Sequence, residues 1–67
     1  MTIQLNDENI KLPSDDMTVA ELLDWRNQGK GGTAVAVNDR LIRKADWSSR
    51  HLAEGDRVTV ISAAFGG

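Results

Sequence analysis

Sixty-seven residues, with 8 Lys or Arg against 10 Asp or Glu and a net charge of −2, make one small domain. Such a domain buries roughly 60% of its unfolded surface and leaves little room for an enclosed active site with its own walls. No cysteine is present, which excludes disulfides and cysteine-based zinc sites; the charge balance argues against nucleic acid as the main partner, and no apolar run is long enough to span a membrane.

Thr2-Ile3-Gln4-Leu5-Asn6 alternates polar and apolar, and Asn9-Ile10-Lys11-Leu12 does the same. Ile3, Leu5, Ile10 and Leu12 then line one face of a two-stranded hairpin. Asp7 and Glu8 are expected at its turn, flanked by Asn6 and Asn9, which tolerate turn geometry. Because Thr2 onward already reads as strand, no signal peptide is expected, and the expected compartment is the cytoplasm. Pro13 ends the second strand, since it has no N–H for a ladder.

Thr18-Val19-Ala20-Glu21 fits a capping box, in which the Thr hydroxyl accepts from the Glu backbone and the Glu side chain reaches back. Val19, Leu22 and Leu23 share a helical face. Arg26 falls near the centre of that stripe. Either the helix unwinds there, or the Arg26 stem lies on the core with its charge in water. Gly29 and the pair Gly31-Gly32 are expected to stop the helix. A phosphate loop is a weak reading of these glycines, because that motif lies between a strand and a following helix, whereas here a helix precedes and a strand follows.

Thr33-Ala34-Val35-Ala36-Val37-Asn38 is apolar on both faces, as suits the middle of a sheet or a position beneath a partner. Asn38-Asp39-Arg40 turns the chain into a short strand, Leu41-Ile42. Residues 45–52 have no clean period and read as a loop with a helical turn, pinned by Trp47 and Leu52. His51, the single histidine, has no Ser, Cys or second His arranged around it and reads as a surface residue. Glu54-Gly55-Asp56 is a tight turn. Arg57 to Ala63 is the last strand, with Val58 and Val60 toward the core and Ile61 on the other face.

Strand, strand, helix, strand, short strand, strand implies an α+β fold. It is a β-grasp, or ubiquitin-like, arrangement: a four- to five-stranded mixed sheet with one main helix packed on one face. Residues 1–63 form the single domain, and residues 64–67 a flexible tail ending in Gly66-Gly67. On the uncovered sheet face Ala34, Ala36 and Ile61 are either scattered apolar residues or a docking surface for a partner. Glycines at the tail leave its backbone free of any Cβ that would collide with a narrow channel. Four extended residues reach roughly 13–14 Å.

Thr18-Val19-Ala20-Glu21-Leu22-Leu23, Ala34-Val35-Ala36-Val37-Asn38, Trp47, Leu52-Ala53-Glu54-Gly55-Asp56 and Gly66-Gly67, in that order and spacing, resemble the sulfur carriers of thiamine biosynthesis, the ThiS family. Two positions depart from the family pattern: Arg43-Lys44 stands where a Pro-Arg pair is usual, and Arg26 where an apolar residue is. The resemblance implies a carrier with no catalytic residues and no metal or bound cofactor of its own. It implies that Gly67 is the modified residue, presented by Phe65 and Gly66. A ThiF-type adenylyltransferase would use MgATP to make a C-terminal acyl-adenylate, a sulfur donor would convert it to a thiocarboxylate, and a ThiG-type thiazole synthase would take the sulfur. The small subunit of molybdopterin synthase and a ubiquitin-like protein modifier share the fold and tail and are the alternatives.

Overall fold

The computed structural model describes residues 1–27 and 32–62. Five strands form one mixed sheet: β1 (Thr2–Leu5), β2 (Glu8–Lys11), β3 (Thr33–Val37), β4 (Arg40–Ile42) and β5 (Arg57–Ser62). Their order across the sheet is β2-β1-β5-β3-β4, so the strand last in sequence is the central one. It runs parallel to β1 and antiparallel to β3. Helix α1 (Val19–Trp25) and a short 3-10 turn, η1 (Lys44–Asp46), complete the elements.

Alternation sets the inner face. Ile3 and Leu5 from β1, Val35 and Val37 from β3, and Val58 and Val60 from β5 are all buried, and they join Val19, Leu22 and Leu23 of α1 in one core. Ile10 is only partly buried against it, while Leu12, Trp47, Leu52 and Met17 close its margins. Met17 has no period to announce it; it is buried in the core, and its carbonyl accepts from the Leu52 N–H at 2.8 Å.

The helix begins as the sequence requires. The Glu21 N–H donates to Thr18 Oγ1 at 3.2 Å, and the Thr18 N–H donates to Glu21 Oε1 at 2.9 Å, the reciprocal capping box. Its end comes earlier than the glycines imply. Arg26 is the C-cap, with φ −90° and ψ −2°, and Asn27 follows with φ 57°. Arg26 is therefore exposed, off the stripe that it would have interrupted, with its guanidinium carbon 6.0 Å from the centre of the Trp25 ring. Trp25 is itself 45% exposed and does not replace the missing apolar contact. Gly29 and Gly31 lie outside the described residues. Gly32 has φ 85° and leads into β3.

Both hairpins turn on the same dipeptide. Leu5 pairs with Glu8, and Val37 pairs with Arg40, so each loop is two residues, Asn6-Asp7 and Asn38-Asp39. All four have positive φ, between 50° and 69°, as in a type I′ turn, whose twist matches that of the flanking strands. The first turn is thus Asn6-Asp7 and not Asp7-Glu8, because Asn followed by Asp enters the left-handed region more readily than Asp followed by Glu; Glu8 joins β2, and Arg40 likewise joins β4.

Each turn asparagine also reaches across to β5. Asn6 Oδ1 accepts from the Val60 N–H at 2.9 Å, and Asn6 Nδ2 donates to the Val60 carbonyl at 3.2 Å. On the other side Asn38 Oδ1 accepts from the Arg57 N–H at 2.9 Å, while the Asn38 N–H donates to the Arg57 carbonyl at 2.7 Å. Asn38 Nδ2 also donates to the buried Asp56, whose other oxygen accepts from the Ala53 N–H. The predicted Glu54-Gly55-Asp56 turn is present, with Gly55 at φ 81°.

Replacing Asn6 by alanine removes two hydrogen bonds to a half-buried strand and puts a Cβ residue with no local compensation at positive φ. Asn6→Ala is expected to cost about 2 kcal/mol, and Asn6→Gly less, because glycine keeps the turn and loses only the bonds. Urea unfolding midpoints compare the two; equal losses would mean that turn geometry contributes nothing.

Candidate functional site

The residues that the sequence singles out for chemistry, Phe65, Gly66 and Gly67, lie outside the described residues, as do Ala63 and Ala64. What the structure describes is their mount. β5 is paired on both sides, to Val60 through Asn6 and to Ser62 through Thr33. Two-sided support to Val60 and the β3 ladder beyond it set the point of departure at Ser62, on the central strand and not on an edge strand.

Around that point lies the sheet face that α1 leaves open. Residues directly opposed in an antiparallel ladder share a face. Ala34 opposes Ile61, and Ala36 opposes both Thr59 and Leu41. The three positions singled out from sequence are therefore brought together on one face. Ile61 is 60% exposed, and Ala34 and Ala36 are half-buried. Leu41, 71% exposed, belongs with them and was not among them. Its strand is three residues long, too short for alternation to assign a face; the register with Ala36 assigns it. Small side chains on β3 flanked by Leu41 and Ile61 make a shallow trough between two apolar ridges.

The other candidates have structural roles. His51 is exposed, with Nδ1 2.8 Å from Asp16 Oδ1, and it bridges to Thr18; it ties the long loop to the helix start. Trp47 is buried, and its Nε1–H donates to the Ile42 carbonyl at 3.1 Å while its own carbonyl accepts from the Ala20 N–H at 3.0 Å. It locks β4 and α1 together. Among the described residues no group of three His, Cys, Asp or Glu is placed to hold a metal ion, and no helix is long and apolar enough to cross a membrane.

Comparison with known proteins gives a consistent result. Residues 2–67 match the ThiS family. The sulfur carrier protein ThiS of Escherichia coli (strain K12) is 28% identical over 67 residues, covering all of both chains. Two solved structures of a thiamine biosynthesis protein (ThiS) from Geobacter metallireducens have the same fold. The crystal structure superposes with a TM-score of 0.86 at 19% identity over all of both chains, and the solution structure with 0.82 at 20% identity over all of this chain and 88% of the other.

One departure from the family pattern is resolved by the backbone. Arg43 stands where the family resemblance leads one to expect proline, and its φ is −64°, the value a proline ring imposes, with ψ 147° in the extended region open to proline. Ile42 before it is in a strand, as a residue preceding proline prefers. Among the described residues the Arg43 N–H has no hydrogen bond, while its carbonyl accepts from the Asp46 N–H at 2.8 Å. The loop shape is thus kept without the ring. Arg43→Pro is expected to leave the fold intact and raise stability by about 0.4–1 kcal/mol, by restricting the unfolded chain. Thermal and urea unfolding measure this, and a loss of stability would show that the guanidinium or the N–H makes a contact the fold needs.

Proposed function

Because the chain belongs to the ThiS family, we propose that it is a sulfur carrier of thiamine biosynthesis, with Gly67 as the residue that carries the sulfur. The observation that supports this most is the placement of β5. The strand that leads to Gly66-Gly67 is the central one, held on both flanks up to Val60 and by β3 as far as Ser62. From Ser62 to Gly67 the chain spans at most about 17 Å when extended, enough to reach into a partner while the sheet stays outside. Gly66 has no Cβ to meet the walls of a narrow channel, and Phe65 anchors the tail at the channel mouth.

The chemistry follows from the carboxylate. An α-carboxyl ordinarily titrates at about 3.3–3.7, so it is anionic at neutral pH and carries no leaving group. In the proposed sequence a Gly67 carboxylate oxygen attacks the α-phosphorus of MgATP held by a ThiF-type adenylyltransferase. Pyrophosphate departs, and an acyl-adenylate remains. Hydrosulfide released by a donor then attacks the acyl carbon, the bond to the AMP oxygen breaks, AMP departs with its electron pair, the S–H proton is lost to water, and Gly67 becomes a thiocarboxylate. A ThiG-type thiazole synthase takes that sulfur into the thiazole ring.

The carrier contributes tethering and orientation, which raise the effective concentration of the sulfur in the partner site. The partners contribute the catalytic groups and the nucleotide; this chain binds no cofactor and catalyses nothing alone. Ala34, Ala36, Leu41 and Ile61 are the surface on which those partners dock, beside the point where the tail departs. The cytoplasm, a reducing compartment that suits a chain without cysteine, is the proposed location.

Mass spectrometry after incubation with the activating enzyme, MgATP and a sulfur source tests the reading. The expected product has one oxygen replaced by sulfur, located at Gly67. No such product with any cognate activating enzyme sinks the proposal. Conjugates that survive denaturing gels and vanish on removal of Gly67 would mean a protein modifier instead, and capture of the thiocarboxylate by molybdopterin synthase would move it to the other pathway. Gly67→Ala is expected to leave the unfolding midpoint unchanged and to lower kcat/KM for adenylation about a hundredfold, by displacing the carboxylate from its line of attack; wild-type kinetics would remove the narrow-channel argument.

A further inference from the structure

The cationic side chains of this protein are not spread evenly. Arg40, Arg43, Lys44 and Arg50 fall within eleven residues that contain a single acid, Asp46. Four cations against one carboxylate give this segment +3, in a chain whose total is −2. The remaining residues therefore carry −5. The fold gathers three of these cations around one groove of about 390 Å³, lined by Arg40, Arg43 and Arg50 together with Leu41, Asp46 and Ser49.

Two features set the groove apart from an ordinary solvated surface. First, three arginines face one carboxylate in the lining, Asp46, and none of them is paired with it. Among the described residues none of the three is in an ion pair; Arg50 is half-buried and donates to the His51 carbonyl at 2.8 Å. Lys44, the fourth cation, lies over the Trp47 ring, 6.0 Å from its centre. Second, the arginines do more than guard an edge. β4 is an edge strand, and a charge on such a strand discourages pairing with other chains. Arg40 fills that role. Arg43 and Arg50 are not on the strand; they stand on the η1 side of the groove.

The groove also lies within reach of the departing tail. Ile42, which lines it, stands in the same row as Val35 and Val60, two residues before Ser62. Two strand spacings, about 10 Å, separate β4 from β5. Leu41 lines the groove and also lies opposite Ala36, so groove and apolar trough share β4. Arg40 and Ile42 oppose the buried Val37 and Val35, so the groove opens around the β4 edge, and a protein lying on the trough reaches it by wrapping past Leu41 at that edge.

We propose that the groove receives an acidic segment, one bearing Asp or Glu side chains, on the enzyme that activates the tail. Guanidinium groups bind carboxylates through paired, charge-assisted hydrogen bonds. A rim contact of this kind acts chiefly on encounter and register and not on the chemical step. The inference rests on the sulfur-carrier reading, in that it needs an enzyme acting on Gly67.

The test compares two variants of the full chain as substrates in the adenylation assay. Arg43→Glu/Arg50→Glu reverses two charges in the groove. Lys11→Glu/Arg26→Glu makes the same change in total charge elsewhere, with Lys11 on β2 at the opposite edge of the sheet and Arg26 at the end of α1. The groove variant is expected to raise KM at least about tenfold at low salt, with kcat unchanged. The control variant should do so by less than about twofold, and Arg43→Lys/Arg50→Lys should restore most of the wild-type value. High salt should bring all of them together.

Equal effects from both charge reversals would mean long-range steering and overturn the groove; so would no effect from either. Inorganic phosphate that competes with the wild type but not the groove variant, at millimolar concentration, would make the groove a small-anion site and also overturn the proposal. Sedimentation showing a dimer of the wild type that the groove variant abolishes would assign the groove to a second copy. A wild-type chain that is not adenylated at all would instead defeat the sulfur-carrier reading, an outcome visible before any variant is compared.

Discussion

Two asparagine side chains fasten the central strand, and much of the molecule depends on them. Where β1 turns away after Leu5, the Asn6 amide takes its place and makes a donor–acceptor pair with Val60. Where β3 turns away after Val37, Asn38 does the same for Arg57, half through its backbone and half through its amide. A primary amide offers one carbonyl and N–H donors, much as a peptide group does, and so can extend a ladder beyond the end of a strand. The type I′ turns need positive φ, which asparagine tolerates better than most residues. The same residue type therefore makes the turn and supplies the rung. Without these rungs, backbone groups of β5 at Val60 and Arg57 would lose partners, at a cost of about 1–3 kcal/mol for each that stays buried.

With β5 held in the middle, the two sheet faces divide the work. The inner face takes α1 and nearly all the large aliphatic side chains. The outer face carries small residues on β3, with Ile61 and Leu41 standing beside them. Loop 43–52 is fixed by Trp47, which hydrogen-bonds β4 with its ring and α1 with its carbonyl. That anchor also sets the positions of Arg43 and Arg50, so one buried indole shapes both the core margin and the charged groove.

What could be read in advance was whatever local chemistry decides. The Thr18–Glu21 box and the Val19-Leu22-Leu23 stripe are written within six residues, and both are as expected. The alternation of β1 and β5 assigned their faces, and the pinning roles of Trp47 and Leu52 followed from two large apolar residues in an otherwise polar loop. Features that depend on distant partners were not legible. The turn at Asn6-Asp7 was displaced by one residue, although Asn38-Asp39 repeats the same dipeptide and was the available clue. The helix ends at Trp25, before any glycine, because Asn27 takes up the left-handed position. Leu41 joins the outer face only through its register with Ala36. The groove was invisible, since Arg40 and Arg50 are ten positions apart and meet only after η1 folds back.

The parallel pairing of β1 with β5 has a bearing on how the protein comes to be folded. Asn6 and Val60 are separated by 54 positions, and Thr2 and Glu54, joined by a 2.9 Å hydrogen bond, by 52. Loops of that length close slowly relative to local contacts, and topologies dominated by them fold late in the process. Among the described residues the two hairpins join into one sheet only through β5. A nascent chain that has not yet released Arg57–Ser62 is therefore two hairpins and a helix with no shared sheet. The sheet forms only when β5 is available, so a chain cut before Arg57 keeps its local turns and helix start but has no central strand to join them.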